Sequence, residues 1–359
     1  MLYLALVAAL LPAAFAQTWT ACNPLNSTGC PTNPALGSNA TFLWNTTTAD
    51  SSIWNATNGK VKYTPAGGEF TINERHDSPT IQSKFYIFFG VVSVIMRAAP
   101  GQGVISSIVL ESDDLDEVDW EFIGGNHTHV ETNYFGKGNT TSYDRAIYYP
   151  VDKPQDQFHN YTVHWTKDAI EWWIDDKSVR TLNYSDALGG KNFPQTPMNV
   201  RLGIWAGGDP DNSNGTIEWA GGLTNYGDGP YTMTVAEIYV QDFTSGKEYA
   251  YGDMTGSWES IKVTEGQSKA IKEITTPHGV TGRWKALSKT AQFAIVASAA
   301  GVAVLCLLGI VFCCIKQRRA GRREYAEIEA QREKEAAELV EYTTKMANGH
   351  FGHGSHNNW

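Results

Sequence analysis

The stretch Asp116-Glu117-Val118-Asp119-Trp120-Glu121-Phe122-Ile123-Gly124-Gly125 carries the clearest chemical content of this 359-residue chain. Side chains of an extended strand alternate between faces, so Glu117, Asp119 and Glu121 share one face and Val118, Trp120 and Phe122 the other. The apolar face can enter a core, which leaves three carboxylates in a row. Like charges so arranged repel, and a stable fold gains nothing evident from them. Catalysis can use that repulsion. Retaining cleavage of a glycosidic bond needs one ionised carboxylate as nucleophile and one protonated carboxyl as general acid, ~5–5.5 Å apart. Clustering holds a proton on one of them to higher pH and so splits the two roles. On an ideal strand the Cα atoms of Glu117 and Glu121 are about 13 Å apart, so the side chains must lean together, helped by sheet curvature. Taken alone, the triplet fits a catalytic row and a solvated acidic edge strand equally well. A third reading is a calcium loop at Asp209-Pro-Asp211-Asn212-Ser213-Asn214-Gly215. There Ala220 stands where a bidentate Glu is needed, which favours an acidic turn. No metal site and no cofactor is expected.

The elements that must position this row are strands. From Thr18 to about Gly256 no helical stretch is evident, and short β-branched and aromatic runs recur between Gly, Pro, Asn and Asp. They include Phe85 to Met96, Val104 to Leu110, Tyr161 to Thr166, Ala169 to Ile174, Asn199 to Trp205 and Met233 to Gln241. YTVHWT and AIEWWI, joined by Lys167-Asp168, predict a tight hairpin. Strands at this spacing over some 240 residues favour one β-sandwich rather than two domains. Hydrophobic residues make up 42% and aromatics 12% of the chain, enough for a full core and too much for disorder. The net charge of −10 argues against nucleic acid as a partner, because phosphates would be repelled.

The ends of the chain place this β region. Residues 1–16 are apolar and close on Ala14-Phe15-Ala16, which predicts a secretory signal peptide. Ala291 to Ile315 holds no charged residue, and as a helix it would be roughly 37 Å long, enough to cross a ~30 Å hydrocarbon core. A transmembrane helix is therefore assigned to 289–315. Lys316, Arg318, Arg319, Arg322 and Arg323 follow it and put the 316–359 tail in the cytosol. Glu324 to Met346 looks helical, and a solvated charged helix accounts for it. The expected organisation is signal peptide 1–16, catalytic domain 17–256, a stalk 257–288 with room for one short strand, span 289–315 and cytoplasmic tail 316–359. Nine Asn-x-Ser/Thr sequons, at Asn26, Asn39, Asn45, Asn55, Asn126, Asn139, Asn160, Asn183 and Asn214, all precede the span, as a glycosylated ectodomain requires. In an oxidising compartment Cys22 and Cys30 predict a short disulfide loop. Cys306, Cys313 and Cys314 fall in or at the end of the span, as apolar fillers or palmitoylation sites.

DEVDWEFIGG resembles the ExDxE active-site strand of glycoside hydrolase family 16. Its surroundings, GVISSIVLESDDLDEVDWEFIGGNHTHVETNYFGKG, resemble the fungal Crh family of cell-wall chitin–glucan transglycosylases within that group. The likeness continues through HWTKDAIEWWIDD, NVRLGIWAGG and GTIEWAGG, over roughly residues 20–245. It implies an all-β, concanavalin A-like β-jelly-roll sandwich, here with a single transmembrane helix added. It also implies Glu117 as nucleophile, Glu121 as acid/base and Asp119 as the auxiliary carboxylate. Arg201, Trp205 and Thr216 match positions that in that family contact the chitin chain together with the acid/base. Trp205 offers a flat apolar face to a pyranose ring, Arg201 can donate to hydroxyls or N-acetyl carbonyls, and Thr216 adds a hydroxyl. Without the resemblance Trp205 reads as core, since alternation does not tell which face it lies on. Many members of that family carry a glycolipid anchor, whereas this chain carries the features of a protein span.

Two functions follow as expectations. One is a membrane-tethered extracellular enzyme at the plasma membrane and cell wall that moves a chitin donor onto a β-glucan acceptor. The other is a non-enzymatic lectin or wall sensor, because jelly rolls also serve as binding modules. The intact carboxylate triplet argues for the enzyme.

Overall fold

The computed structural model describes residues 19–349 apart from 143, 277 and 278, so the expected signal peptide lies outside the described residues. The chain divides into two units after Thr276. In the first, antiparallel strands form a β-sandwich, as expected. The seven-stranded sheet runs, edge to edge, Ile147–Pro150, His129–Phe135, Glu117–Ile123, Val104–Ser112, Met198–Ala206, Thr80–Ser83 and Trp54–Asn58. The eight-stranded sheet is built on His159–Trp165, Gly90–Arg97 and Tyr231–Asp242, with Asn39–Leu43 paired alongside the last. The tight hairpin at Lys167-Asp168 is present, with Trp165 opposite Ile170.

The alternation read in the carboxylate strand is realised. Val118, Trp120 and Phe122 are buried to within 1%. They meet aromatic residues of the other sheet: Tyr161 packs edge-on against Trp120 at 5.5 Å and Phe122 at 4.6 Å. Each large side chain so buried contributes roughly 1.5–3 kcal/mol of transfer free energy. Trp172, fully buried in the eight-stranded sheet, donates its indole N–H to the Asp119 carbonyl at 3.0 Å. The core therefore reaches through to fix the backbone under the central carboxylate. Much of the aromatic content goes into this core, where Trp44, Trp120, Trp165 and Trp172 are fully buried. The carboxylate strand is interior, paired on both sides, so the acidic edge-strand reading falls.

Three expectations need correction. The run from Phe85 to Met96 does not form one strand: Tyr86 and Ile87 make isolated bridges to Ala35 and Met198, and the continuous strand starts only at Gly90. Gly90 has φ +152°, and a Cβ there would meet the Gln241 carbonyl oxygen at 2.0 Å, so the chain turns into the sheet at a position only glycine fits. A helix, Asn214–Trp219, stands where none was expected; Ser213 caps it, its hydroxyl accepting from the Thr216 N–H at 3.2 Å. Finally, the segment assigned as stalk belongs in part to the first unit. Ile261–Glu265 pairs with Gly246–Tyr251, which also pairs with Asn33–Pro34. The buried Ser268 hydroxyl donates to the Ala35 carbonyl at 2.6 Å and caps the helix Lys269–Thr275. Short polar strands with their apolar residues spread over two elements leave no periodicity to read.

Near the N-terminus Cys22 and Cys30 are disulfide-bonded. Asn26, Asn39, Asn45, Asn55, Asn183 and Asn214 are exposed, and Asn126, Asn139 and Asn160 half-buried. The acidic turn is an ion-pair cluster: Arg75 bonds Asp209 at 2.7 Å and Asp211 at 2.6 Å, and the Tyr226 hydroxyl donates to Asp209. The second unit contains Gly279–Ala286 and one continuous helix, Lys289–Ala347, of 59 residues. Its most apolar stretch has a mean hydropathy of 2.7, long and apolar enough to cross a membrane. The expected span and the charged helical tail are thus parts of a single helix.

Candidate active site

Pairing across the seven-stranded sheet sets the site. Glu117 lies opposite Glu111 on one side and Phe135 on the other. Asp119 lies opposite Val109 and Asn133, with Arg201 next in the row beyond Val109. Glu121 lies opposite Ser107 and Glu131; Gly203 follows Ser107 and Tyr148 follows Glu131. All these side chains project from the face turned away from the core, and Trp205, two residues past Gly203, shares it. Gly203 leaves the floor beside Glu121 without a side chain.

The carboxyl groups are not equivalent. Burial raises all three above the usual carboxylate range. Asp119, 2% exposed, is raised well above the usual range, first by burial and then by the charges of Glu117 and Glu121. The hydrogen bond between Asp119 and Glu117 raises the former and lowers the latter, so the proton sits on Asp119, which donates to an ionised Glu117. Arg201 and Arg145 also favour the charged form of Glu117. Glu121 is raised by burial, then by the charges of Glu131 and Glu117, against the hydroxyl of Ser107, which donates to it at 3.2 Å. The arrangement holds an ionised carboxylate and a protonated carboxyl at opposite ends of the row, as a nucleophile and a general acid require.

The remaining expected residues are distributed unevenly. Arg201 is 4% exposed and paired with Glu111, itself fully buried. Its Nε donates to Asn199 at 3.0 Å and its Nη2 to the Trp19 carbonyl at 3.1 Å, with the Trp19 ring centroid 5.9 Å away. Trp205 is half-buried on the carboxylate side and stacks on Trp219 at 6.0 Å and 26°. Thr216 lies on the helix Asn214–Trp219, three residues before Trp219 and so on the same helix side, with its hydroxyl 2.8 Å from that of Ser213. Sequence reasoning missed Glu131, Trp219, Tyr148, Ser107, Glu111 and Trp19. The alternation of His129-Val-Glu131-Thr-Asn133 carried a signal for Glu131 and Asn133. Reading it needed the pairing with the carboxylate strand, which no local pattern gives.

Residues 48–221 match the Glycosyl hydrolases family 16 profile. A Crh-like protein 2 of Botryotinia fuckeliana is 57% identical over 88% of this chain and 71% of its own length. A Crh-like protein of Arthroderma benhamiae is 54% identical over 90% of this chain and 89% of its own. This chain belongs to the Crh-like branch of glycosyl hydrolase family 16. The solved structure of Crh5 transglycosylase in complex with NAG is 57% identical and covers 67% of this chain and 99% of that one, with a TM-score of 0.65. The sandwich is accordingly the jelly roll of family 16, and the Crh-like chain is a glycosyl-transferring glycosidase of the cell-wall transglycosylase type. The lectin reading gives way to an enzyme.

Proposed function

We propose that this Crh-like enzyme cleaves chitin and transfers the released chain to β-glucan in the cell wall by a retaining double displacement. The observation that carries the reading is the unequal carboxyl row, with Asp119 donating to Glu117 while Glu121 is held protonated beside Ser107. Glu117 attacks the anomeric carbon, and the glycosidic C–O bond breaks with its electron pair leaving on oxygen. Glu121 gives its proton to that oxygen. The donor chain is then bonded to Glu117 as an ester, and Glu121 is a carboxylate. It accepts the proton of an incoming glucan hydroxyl, whose oxygen attacks the same carbon and displaces Glu117. Asp119 is the auxiliary group that holds Glu117 in its attacking geometry.

Trp205, braced by Trp219, is the platform for a pyranose ring, and Thr216 and Arg201 complete the donor site with Glu121. The buried Glu111 pair and the Trp19 carbonyl hold the Arg201 guanidinium, so Arg201 acts by orienting this end of the site. The same reading puts the jelly roll outside the plasma membrane, anchored through Lys289–Ala347 with its C-terminal part cytosolic, and with glycans at the nine sequons. That chitin is the donor is supported by the resemblance and by the NAG-bound relative.

The test incubates detergent-solubilised enzyme with chitin oligosaccharides and a fluorescent β-glucan acceptor. Hybrid chitin–glucan products are expected, and both Glu117→Gln and Glu121→Gln should abolish them. Shortened chitin oligomers as the sole product would overturn the transfer reading and leave a hydrolase.

A further inference from the structure

Across from Glu121 stands a fourth carboxylate that the mechanism above does not use. Glu131 is 2% exposed and directly opposite Glu121 in the antiparallel register. Partners so placed have Cβ atoms ~4.5–5.5 Å apart. A carboxylate this close to the acid/base group would be a liability unless something held it in one place and one charge state. Three donors do so. Trp219 Nε1 donates to it at 2.7 Å from the helix, the Tyr148 hydroxyl donates from the next strand out, and Asn133 Nδ2 donates at 3.5 Å from its own strand. Burial raises the Glu131 carboxyl above the ordinary range, and the Tyr148 hydroxyl, the Trp219 N–H, the Arg180 charge and the Asn133 amide all work against that rise and favour its charged form.

We propose that Glu131 is the positioning residue of the acid/base group: directly opposite Glu121 and held by its donors, its carboxylate keeps the proton on Glu121 until the departing sugar oxygen takes it. The inference rests on the reading of Glu121 as acid/base. Direction agrees with geometry, since after burial the charge of Glu131 is the largest influence raising Glu121. The same carboxylate ties this function to sugar binding. Trp219 donates to Glu131 with its edge and stacks on Trp205 with its face. The platform and the proton donor are thereby linked through two side chains, Trp219 and Glu131.

Other charged groups on this face are Asp119 and Glu117 on the same strand, Glu111 on Val104–Ser112 and Arg201 on Met198–Ala206. Glu111 and Arg201 pair with each other. Arg145 acts on Glu117, and Arg180 approaches Glu131, its Nη1 donating to the Thr132 carbonyl at 2.8 Å. Beyond Glu131 stands Tyr148, and the helix contributes Trp219 with Glu218 exposed to solvent. Of these, Glu131 alone is both directly opposite Glu121 and negatively charged.

The experiment records kcat/KM for transfer against pH, using the solubilised full chain with chitin oligosaccharide and labelled glucan. The alkaline limb reports loss of the Glu121 proton. In Glu131→Gln, which keeps an oxygen for Trp219 but no charge, that limb should move to lower pH by roughly one unit. Glu131→Asp restores the charge and should bring the limb back towards wild type. Trp219→Phe keeps a ring on Trp205 but removes a donor that holds Glu131 ionised, and should move the limb the same way by less. An unmoved limb in Glu131→Gln overturns the proposal, as does a shift in Glu131→Asp as large as in the glutamine variant. Where Glu131→Gln does not fold, Trp219→Phe decides, and an unmoved limb there overturns it. Full activity in Glu121→Gln would instead remove the acid/base reading, a different failure.

Discussion

Replacing Glu117 by Gln should kill activity and stabilise the jelly roll, and the stabilisation should depend on pH. Burial pushes the Glu117 carboxyl from an ordinary 4.5 up to about 7. A carboxyl raised on folding binds its proton more tightly in the folded state. Its stabilising effect is therefore full below 4.5 and is lost as pH rises through about 7. At ~1.36 kcal/mol per unit, the ionised residue costs up to about 3.4 kcal/mol at alkaline pH. Glu117 keeps some solvent contact and shares its titration with Asp119, which trims the difference to about 2 kcal/mol. For a unit of some 250 residues that is roughly 4–8 °C in Tm. Glutamine has its own cost, because its amide N–H groups need acceptors, but that cost does not vary with pH. The quantity to measure is thus the Tm difference between variant and wild type at about pH 8 minus the same difference at about pH 4, by calorimetry on the solubilised chain. A positive value of several degrees is expected. Equal differences at the two pH values would show that the carboxylate row carries no ionisation strain, and the assignment of an ionised Glu117 beside a protonated Asp119 would fall with it.

Trp172→Phe keeps the core ring but removes the donor to the Asp119 carbonyl; chemical denaturation should show a loss of about 1–3 kcal/mol, with kcat falling more than KM rises. Arg201→Ala leaves Glu111, which burial already raises well above the usual carboxylate range, buried without its cation. A loss of up to about 3–5 kcal/mol is expected, growing as pH rises, and Arg201→Ala with Glu111→Gln should recover part of it in a double-mutant cycle. Trp205→Ala removes the platform and its stack on Trp219, and initial-rate kinetics should show KM for the donor raised roughly tenfold with a smaller change in kcat.

The carboxylate row was legible because it is a period-two pattern within one strand. Val118, Trp120 and Phe122 had to face a core, and that alone fixed the face of Glu117, Asp119 and Glu121. The chemistry was half legible: sequence gives three carboxylates in line, while the inequality among them comes from Ser107, Glu131, Arg201 and Arg145, set by strand pairing across gaps in sequence. Trp205 shows the limit most directly. Alternation assigns it a parity, but only the register with Ile105, and through it Ile123, tells that its parity is that of the carboxylates. The helix Asn214–Trp219 escaped for a different reason. It is six residues long with Gly215 inside, too short for a helical period, and its stability comes from the Ser213 cap and the packing of Trp219.

That short helix makes the arrangement more than a decorated strand. The carboxylate row and Trp205 lie on strands of one sheet, where backbone pairing leaves little freedom to adjust them independently. Trp219 comes from outside the sheet and touches both ends of the problem, Trp205 through its ring and Glu131 through its N–H. Any displacement of the helix therefore acts on the 2.7 Å bond to Glu131 and on the ring pair with Trp205 together. Such coupling needs no moving lid, only an aromatic ring with an N–H at its edge.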